Sequence, residues 1–320
     1  MKNSYAPEGS LLLQSENREY VSSLAGLERA LVEGKILEST VLLCDSSMRL
    51  HVDLCGIRGI IERDEAVFCR EGETIKDIAV ITRVGKPVCF KIIGFRKENG
   101  RLEAVLSRKA AQQECHNAAM SAISIGDIIP ARVTHLESFG AFVDVGCGLS
   151  SLLTVDNISV SRISHPRDRL NVGEDIYVVV KSRDPLTNRL YVSMKELLGT
   201  WQENADMFEV GQTVSGIVRS VEDYGVFVEL APNLAGLAEI REGSRDNEIA
   251  KVGCTTAVYI KSILPDRMKV KLVLIDGYEG TPLEKHPKYF VDCKSTRHIS
   301  HWRYSPQNAQ KVIESVFDKE

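Results

Sequence analysis

One wording occurs twice in this 320-residue chain, and it limits the fold more than any other feature. Residues 125–145 read IGDIIPARVTHLESFGAFVDV; from Val210 the chain reads VGQTVSGIVRSVEDYGVFVEL, so that Gly211 follows Gly126 by 85 residues. Each copy runs from a glycine through β-branched residues to an aromatic-glycine pair, Phe139-Gly140 or Tyr224-Gly225, and then alternates in a second strand. A fainter copy comes first: Glu33-Gly34-Lys35 opens a strand, and Met48-Arg49-Leu50-His51-Val52-Asp53-Leu54 stands at the aromatic positions. Self-similarity of this kind describes a tandem array of one small unit.

The phase of the second strand says what the unit presents. Ala141, Val143 and Val145 share one face, and Phe142 shares the other with Asp144. A large aromatic therefore stands on the polar side of a strand whose core side is already filled, which is the placement of a platform and not of a core residue. Phe227 beside Glu229 repeats the arrangement. In the first copy Met48 and His51 take these places, so stacking there is weak and a structural or protein-docking role is expected.

Around the copies the chain divides into an N-terminal arm and helix (residues 1–33), a degenerate repeat (34–107), a linker helix (108–124), a second repeat (125–195), a second linker helix (196–208), a third repeat (209–275) and a tail (276–320). The arm, with Ala-Pro-Glu-Gly-Ser, reads as mobile. Asn17 then caps a helix whose Tyr20, Leu24, Leu27 and Leu31 form one stripe, ended by Gly34. Strands are expected at 36–44, 49–54, 59–61, 88–93 and 102–107 in the first repeat, and at 127–137, 141–145, 150–153, 176–183 and 189–193 in the second. Asp184-Pro185-Leu186-Thr187-Asn188 is the last turn of the second repeat, and its loop 156–172 carries Arg162, His165, Arg167 and Arg169. The second linker sets Leu197, Leu198, Trp201, Ala205 and Phe208 on one helical face, which packs Trp201 between modules. The third repeat closes with strands at 257–263 and 268–274 around Leu264-Pro265-Asp266-Arg267. In the tail, Ser305-Pro306 reads as the cap and first turn of a helix bearing Ala309, Val312, Ile313, Val316 and Phe317.

A five-stranded unit of roughly seventy residues with a helical excursion after its third strand describes the Greek-key barrel called the OB-fold. The second and third repeats resemble the S1 RNA-binding domain, over about residues 126–193 and 211–274, with a degenerate version over 34–107. The resemblance rests on the wording G-x(n)-[F/Y]-G-x-F-V-[D/E] at a fixed interval. It implies an RNA-facing surface of two aromatics, a histidine after the third strand, and an Asp and an Arg around the last turn. In the second repeat these positions are Phe139, Phe142, Asp184 and Arg189, with Thr154 where the histidine would be. In the third they are Tyr224, Phe227 and, in the arginine's place, Lys269, with Glu239 at the histidine position. Physical chemistry points the same way, since bases stack on exposed aromatics for about 1–3 kcal/mol each and Arg or Lys nearby holds phosphate.

Composition narrows the rest. A net charge of −4 gives no global nucleic-acid signature, so an anionic partner has to be held by local basic patches. GxxxxGK[ST], GxSxG and HExxH are missing, as is GxGxxG after a strand, so the chain is expected to be non-catalytic and to need no cofactor. Eight cysteines without a CxxC pair suggest neither a disulfide framework nor a zinc site. Cys293, His298 and His301 form the best metal-capable cluster but lack a second pair, and Cys147 in Gly-Cys-Gly reads as a turn residue. With no leader pattern and no apolar run near the length of a span, a reduced, cytoplasmic protein with no membrane partner is expected. The expected fold is all-β, three tandem five-stranded OB-type barrels joined by helical linkers, with an N-terminal helix and a C-terminal tail ending in a helix. Repeats two and three would bind single-stranded RNA, such as mRNA, in translation, and repeat one with its helix would dock a protein, the ribosome first among candidates. The residues leave open a second reading, a protein-interaction scaffold that has kept the barrels without RNA affinity.

Overall fold

The β-branched runs pair as their alternation requires, and in a computed structural model each repeat closes into a five-stranded barrel. Residues 6–69, 72, 74–98, 100–184, 189–240, 251–278 and 287–317 are described. The first barrel is built from β1 (Ile36–Cys44), β2 (Leu50–Leu54), β3 (Ile57–Ile61), β4 (Pro87–Glu98) and β5 (Arg101–Ser107), in the order β1-β2-β3-β5-β4, with β4 returning to β1. The second uses β6 (Ile128–Glu137), β7 (Gly140–Asp144), β8 (Ser150–Thr154), β9 (Asp175–Arg183) and β10 (Leu190–Ser193). The third uses β11 (Thr213–Glu222), β12 (Gly225–Ala231), β13 (Leu234–Glu239), β14 (Thr255–Leu264) and β15 (Lys269–Tyr278). In all three barrels the third and fifth strands pair in parallel, and the fourth and fifth pair antiparallel.

Burial follows the sequence period. Val52, Phe90 and Leu106 fill the first barrel, Ala141, Val143 and Val180 the second, and Val226, Val228 and Ile260 the third. The chain forms two compact units, one of Met1–Ile123, Pro130–Arg132 and Asp144–Ser150, the other of Ser124–Ile129, Val133–Val143 and Ser151–Glu320.

Five local expectations are corrected. The N-terminal helix is two helices, α1 (Ser15–Val21) and α2 (Leu24–Glu33), because Ser23 is extended and its hydroxyl accepts the Gly26 N–H at 3.1 Å. Asn17 is no cap: it is buried within α1, and its amide pairs with both the N–H and the C=O of Glu38 on β1. The arm is not loose over its described part, since Glu8 is buried against Arg108 at the start of α4 (Arg108–Ala122), the helix that follows the short α3 (Asp77–Ile81) in the chain.

The second linker is a short 3-10 turn, Lys195–Leu197, followed by α5 (Trp201–Ala205); Gly199, with φ of +83°, separates them. A Thr200–Glu203 capping box starts α5, and Trp201 is buried in the cluster that includes the third barrel's core.

The tail ends in no helix among the described residues. β16 (His301–Arg303) pairs with β17 (Glu314–Val316) instead. The apolar residues of the expected stripe serve two different surfaces: Ile313 packs against the third barrel's cluster with Trp302 and Tyr304, while Phe317 packs with Ile128, Val179 and Leu197. One helical stripe could not reach both. Residues 185–188 of the expected last turn and residues 279–286 of the tail lie outside the described residues.

Candidate nucleic-acid interface

The aromatic-glycine pair has a steric cause. A Cβ on Gly140 would sit 2.5 Å from the Leu153 carbonyl oxygen and 2.9 Å from the Thr154 Cα, and one on Gly225 would sit 2.7 Å from the Ala238 oxygen. Only glycine lets the second strand lie this close to the third. In the second barrel the Phe139 carbonyl also accepts the Val155 N–H at 2.9 Å, so the ring before the glycine is fixed at the rim.

Phe139 is 53% exposed and Phe142 half-buried, with ring centroids 6.0 Å apart and planes at 89°. Tyr224, 63% exposed, and Phe227 repeat this edge-to-face pair at 6.2 Å and 89°. The two repeats thus present the same aromatic corner. His135 on β6 completes the first: its ring lies 6.4 Å from Phe142 at 26°, and its Nε2 is 2.7 Å from Glu137 Oε1. Thr154 stands where the resemblance places a histidine, and the imidazole beside Phe142 comes instead from the neighbouring strand, at a position the sequence does not single out.

Thr154 holds a polar chain. Its hydroxyl donates to Asp156 at 2.5 Å and accepts from the Asn157 amide at 2.7 Å, while Lys181 Nζ donates to Asn157 Oδ1 at 2.9 Å. The Thr154 hydroxyl, more than Lys181 and Lys195, holds the Asp156 carboxyl below its ordinary range. Asp184 and Arg189 bracket the last turn, joined by the Asp184 N–H to Arg189 C=O bond at 2.9 Å, with Arg189 exposed.

In the third barrel Phe227 pairs across the sheet with Leu237, and Leu237 with Lys271, so the three share the outer face. Lys269 is exposed two residues before Lys271 and on that same face. Lys271 was not singled out from sequence. Glu239 is exposed and lies 3.4 Å from Lys271 Nζ, a surface pair of little energetic weight.

The first barrel replaces the corner with an ion cluster. Arg49 Nε and His51 Nε2 each lie 2.9 Å from Asp45 Oδ2. Burial pushes the Asp45 carboxyl up, but the contacts to His51 and Arg49 outweigh it and leave the carboxyl well below its usual range.

Two sequence readings of charge are corrected. Asp144 and Glu229, read as lying on the polar side, are both buried. Of the basic residues in the 156–172 loop, Arg162 and Arg167 are exposed but Arg169 is buried, with both terminal nitrogens donating to the Glu229 carboxylate at 2.5 Å. Arg219 Nε adds a third bond at 2.7 Å. Burial works to raise the Glu229 carboxyl, and the two guanidiniums overcome it, so the carboxyl lies below its ordinary range. A depressed carboxylate stabilises the fold fully above its unfolded pKa of about 4.3 and ceases to do so as pH falls through the lower folded value. Thermal melts should therefore lose stability below about pH 4, and Glu229→Gln should flatten that limb while lowering stability at neutral pH.

The metal-capable residues of the tail go to separate partners: Cys293 Sγ to the Val291 oxygen at 3.4 Å, His298 to Asp127 at 2.8 Å, His301 to Glu314 at 3.0 Å. Among the described residues no group of three such side chains could hold a metal ion, and no helix is long and apolar enough to cross a membrane.

Three closed barrels of one topology, two of them with a matching outward aromatic corner, define a tandem OB-fold protein. The profile of the S1 RNA binding domain matches residues 123–195 and 207–274, which span the second and third barrels. The chain belongs to the S1 RNA-binding domain family. It is 30% identical over 246 residues to the small ribosomal subunit protein bS1 of Staphylococcus aureus (strain COL), covering 73% of this chain and 58% of that one. Against the protein of the same name from Leuconostoc lactis it is 31% identical over 235 residues, covering 70% and 52%. Against that from Staphylococcus epidermidis it is 30% identical over 282 residues, covering 82% and 67%. The chain thus spans about half to two-thirds of the length of these relatives.

Proposed function

We propose that the protein is a non-catalytic, single-stranded RNA-binding protein that acts in translation on mRNA. The observation that carries this reading is the repeated corner, Phe139 with Phe142 and Tyr224 with Phe227, outward in both barrels that match the family profile. Rings held edge to face cannot stack on one another, so each keeps a face for a base. Lys181, bonded to Asn157, and the exposed Arg189 in the second barrel, with Lys269 and Lys271 on the outer face of the third, are the cations we assign to phosphate contacts that the net charge of −4 does not supply. The name of the relatives, small ribosomal subunit protein, supports a place in translation.

The first barrel has the ion cluster of Asp45, Arg49 and His51 where the others have rings, so it is the module for docking a protein, with the ribosome the candidate. Its exposed Leu42, Leu43 and Ile93 suit that role. Fluorescence titration with an unstructured RNA and with a duplex of equal length, at two salt concentrations, tests the reading. The single strand should bind more tightly, because only unpaired bases offer their faces, and its affinity should fall with salt. Equal affinity for both forms, or none for either, would overturn it in favour of a protein-interaction scaffold.

A further inference from the structure

The second linker, the tail and most of the second and third barrels belong to one compact unit, and three separate ties join the two barrels. The first is Asn233, fully buried in the turn between β12 and β13. Its oxygen accepts the Val160 N–H of the second barrel's loop at 2.9 Å, and its amide donates to the Lys195 and Gly199 carbonyls of the linker at 2.8 Å each. The second is the pair of Arg169, from that same loop, with Glu229 on β12, both buried.

The third tie is the segment 287–317, which lies outside the residues matched by the family profile. On the second barrel's side, Ile128 N–H donates to the Arg297 oxygen and Ile299 N–H to the Gly126 oxygen, both at 2.9 Å. On the third barrel's side, Trp302 and Tyr304 enter the core cluster, and the Tyr304 hydroxyl donates to the Asn233 carbonyl at 2.7 Å. The buried Asn233 amide, the Arg169–Glu229 pair and the Tyr304 hydroxyl are each paired across these contacts, and that favours one arrangement, because any sliding of the barrels would leave several of them unpaired.

We propose that Arg169, Asn233 and the 287–317 segment are positioning elements that hold the two aromatic corners at one fixed separation, so that the protein selects single-stranded RNA by the span between the two stretches it grips. The proposal rests on the RNA reading above. A flexible tether gives an effective concentration that changes slowly with span, whereas a rigid pair of sites gives a sharp optimum.

The test uses the full chain and RNAs in which two short unpaired runs are joined by a polyethylene-glycol spacer of graded length. Affinity should peak at one spacer length and fall roughly ten- to a hundredfold away from it. In Arg169→Met the Glu229 carboxylate keeps Arg219, so no buried charge is stranded; the peak should flatten while affinity for a single run stays unchanged. Should that variant not fold, the spacer profile of the unaltered chain decides, and a flat profile overturns the proposal. Phe142→Ala and Phe227→Ala separate the two readings. If they leave binding intact, the RNA reading itself fails; if they weaken binding while the profile is flat, only the fixed spacing fails.

Discussion

Alanine at both Phe142 and Phe227 is expected to weaken binding of an unstructured RNA that spans two barrels by about 2–6 kcal/mol, twice the 1–3 kcal/mol of one base stack. Each single substitution should lose one stack and leave the other corner working. The loss in stability should be small, because both rings are only half-buried on the outer face while Val143 and Val228 fill the cores. Circular dichroism melts separate the two effects: affinity should drop while the melting temperature barely moves. Met48→Ala, at the first barrel's counterpart of Phe139 and Tyr224, should leave RNA affinity unchanged, since no ring stands there to lose. If the double substitution binds normally, the corners are not the RNA surface.

The strands and the aromatic corners were legible in the sequence because their cause is local. Alternation sets which side chains point outward, and Gly140 and Gly225 stand where a Cβ would strike the next strand. The fate of Asp144 and Glu229 was not legible. Both read as solvent-facing, yet Asp144 accepts the Glu8 N–H from 136 residues away and Glu229 meets Arg169 from 60 residues away. No periodicity carries information about such distant partners. His135 was missed for a related reason, since its contact with Phe142 depends on how β6 aligns with β7. The tail went wrong where local pattern and tertiary surface disagree: Ala309, Val312, Ile313, Val316 and Phe317 fit a helical stripe, but packing on two barrels selects a hairpin in which Val312 and Val316 face solvent.

Arg108→Met is expected to be the most destabilising single change in the unit that contains the first barrel, costing about 3–5 kcal/mol, the range for breaking a buried ion pair from one side. Arg108 donates to both Glu8 carboxylate oxygens, at 2.6 and 2.9 Å, and to the Ala66 carbonyl at 3.0 Å. Burial alone would raise the Glu8 carboxyl, but Arg108 outweighs it and keeps the carboxyl below its ordinary range. Without Arg108, the Glu8 carboxylate keeps Arg83 at 3.6 Å and the Cys89 N–H at 3.1 Å, while the Asp144 carboxyl accepts the Glu8 N–H at 2.7 Å. The Glu8 carboxylate would then lose its bidentate partner. Urea denaturation should show a lower midpoint with an unchanged slope in the transition of that unit. Glu8→Gln together with Arg108→Met should cost less than Arg108→Met alone, because the carboxylate that made the single change expensive is gone. A single-variant cost below about 1 kcal/mol would mean that Arg83 or water already satisfies Glu8. RNA affinity is expected to survive in either variant under native conditions, since neither Glu8 nor Arg108 belongs to an aromatic corner, and a loss of binding there would tie the arm to the RNA surface directly.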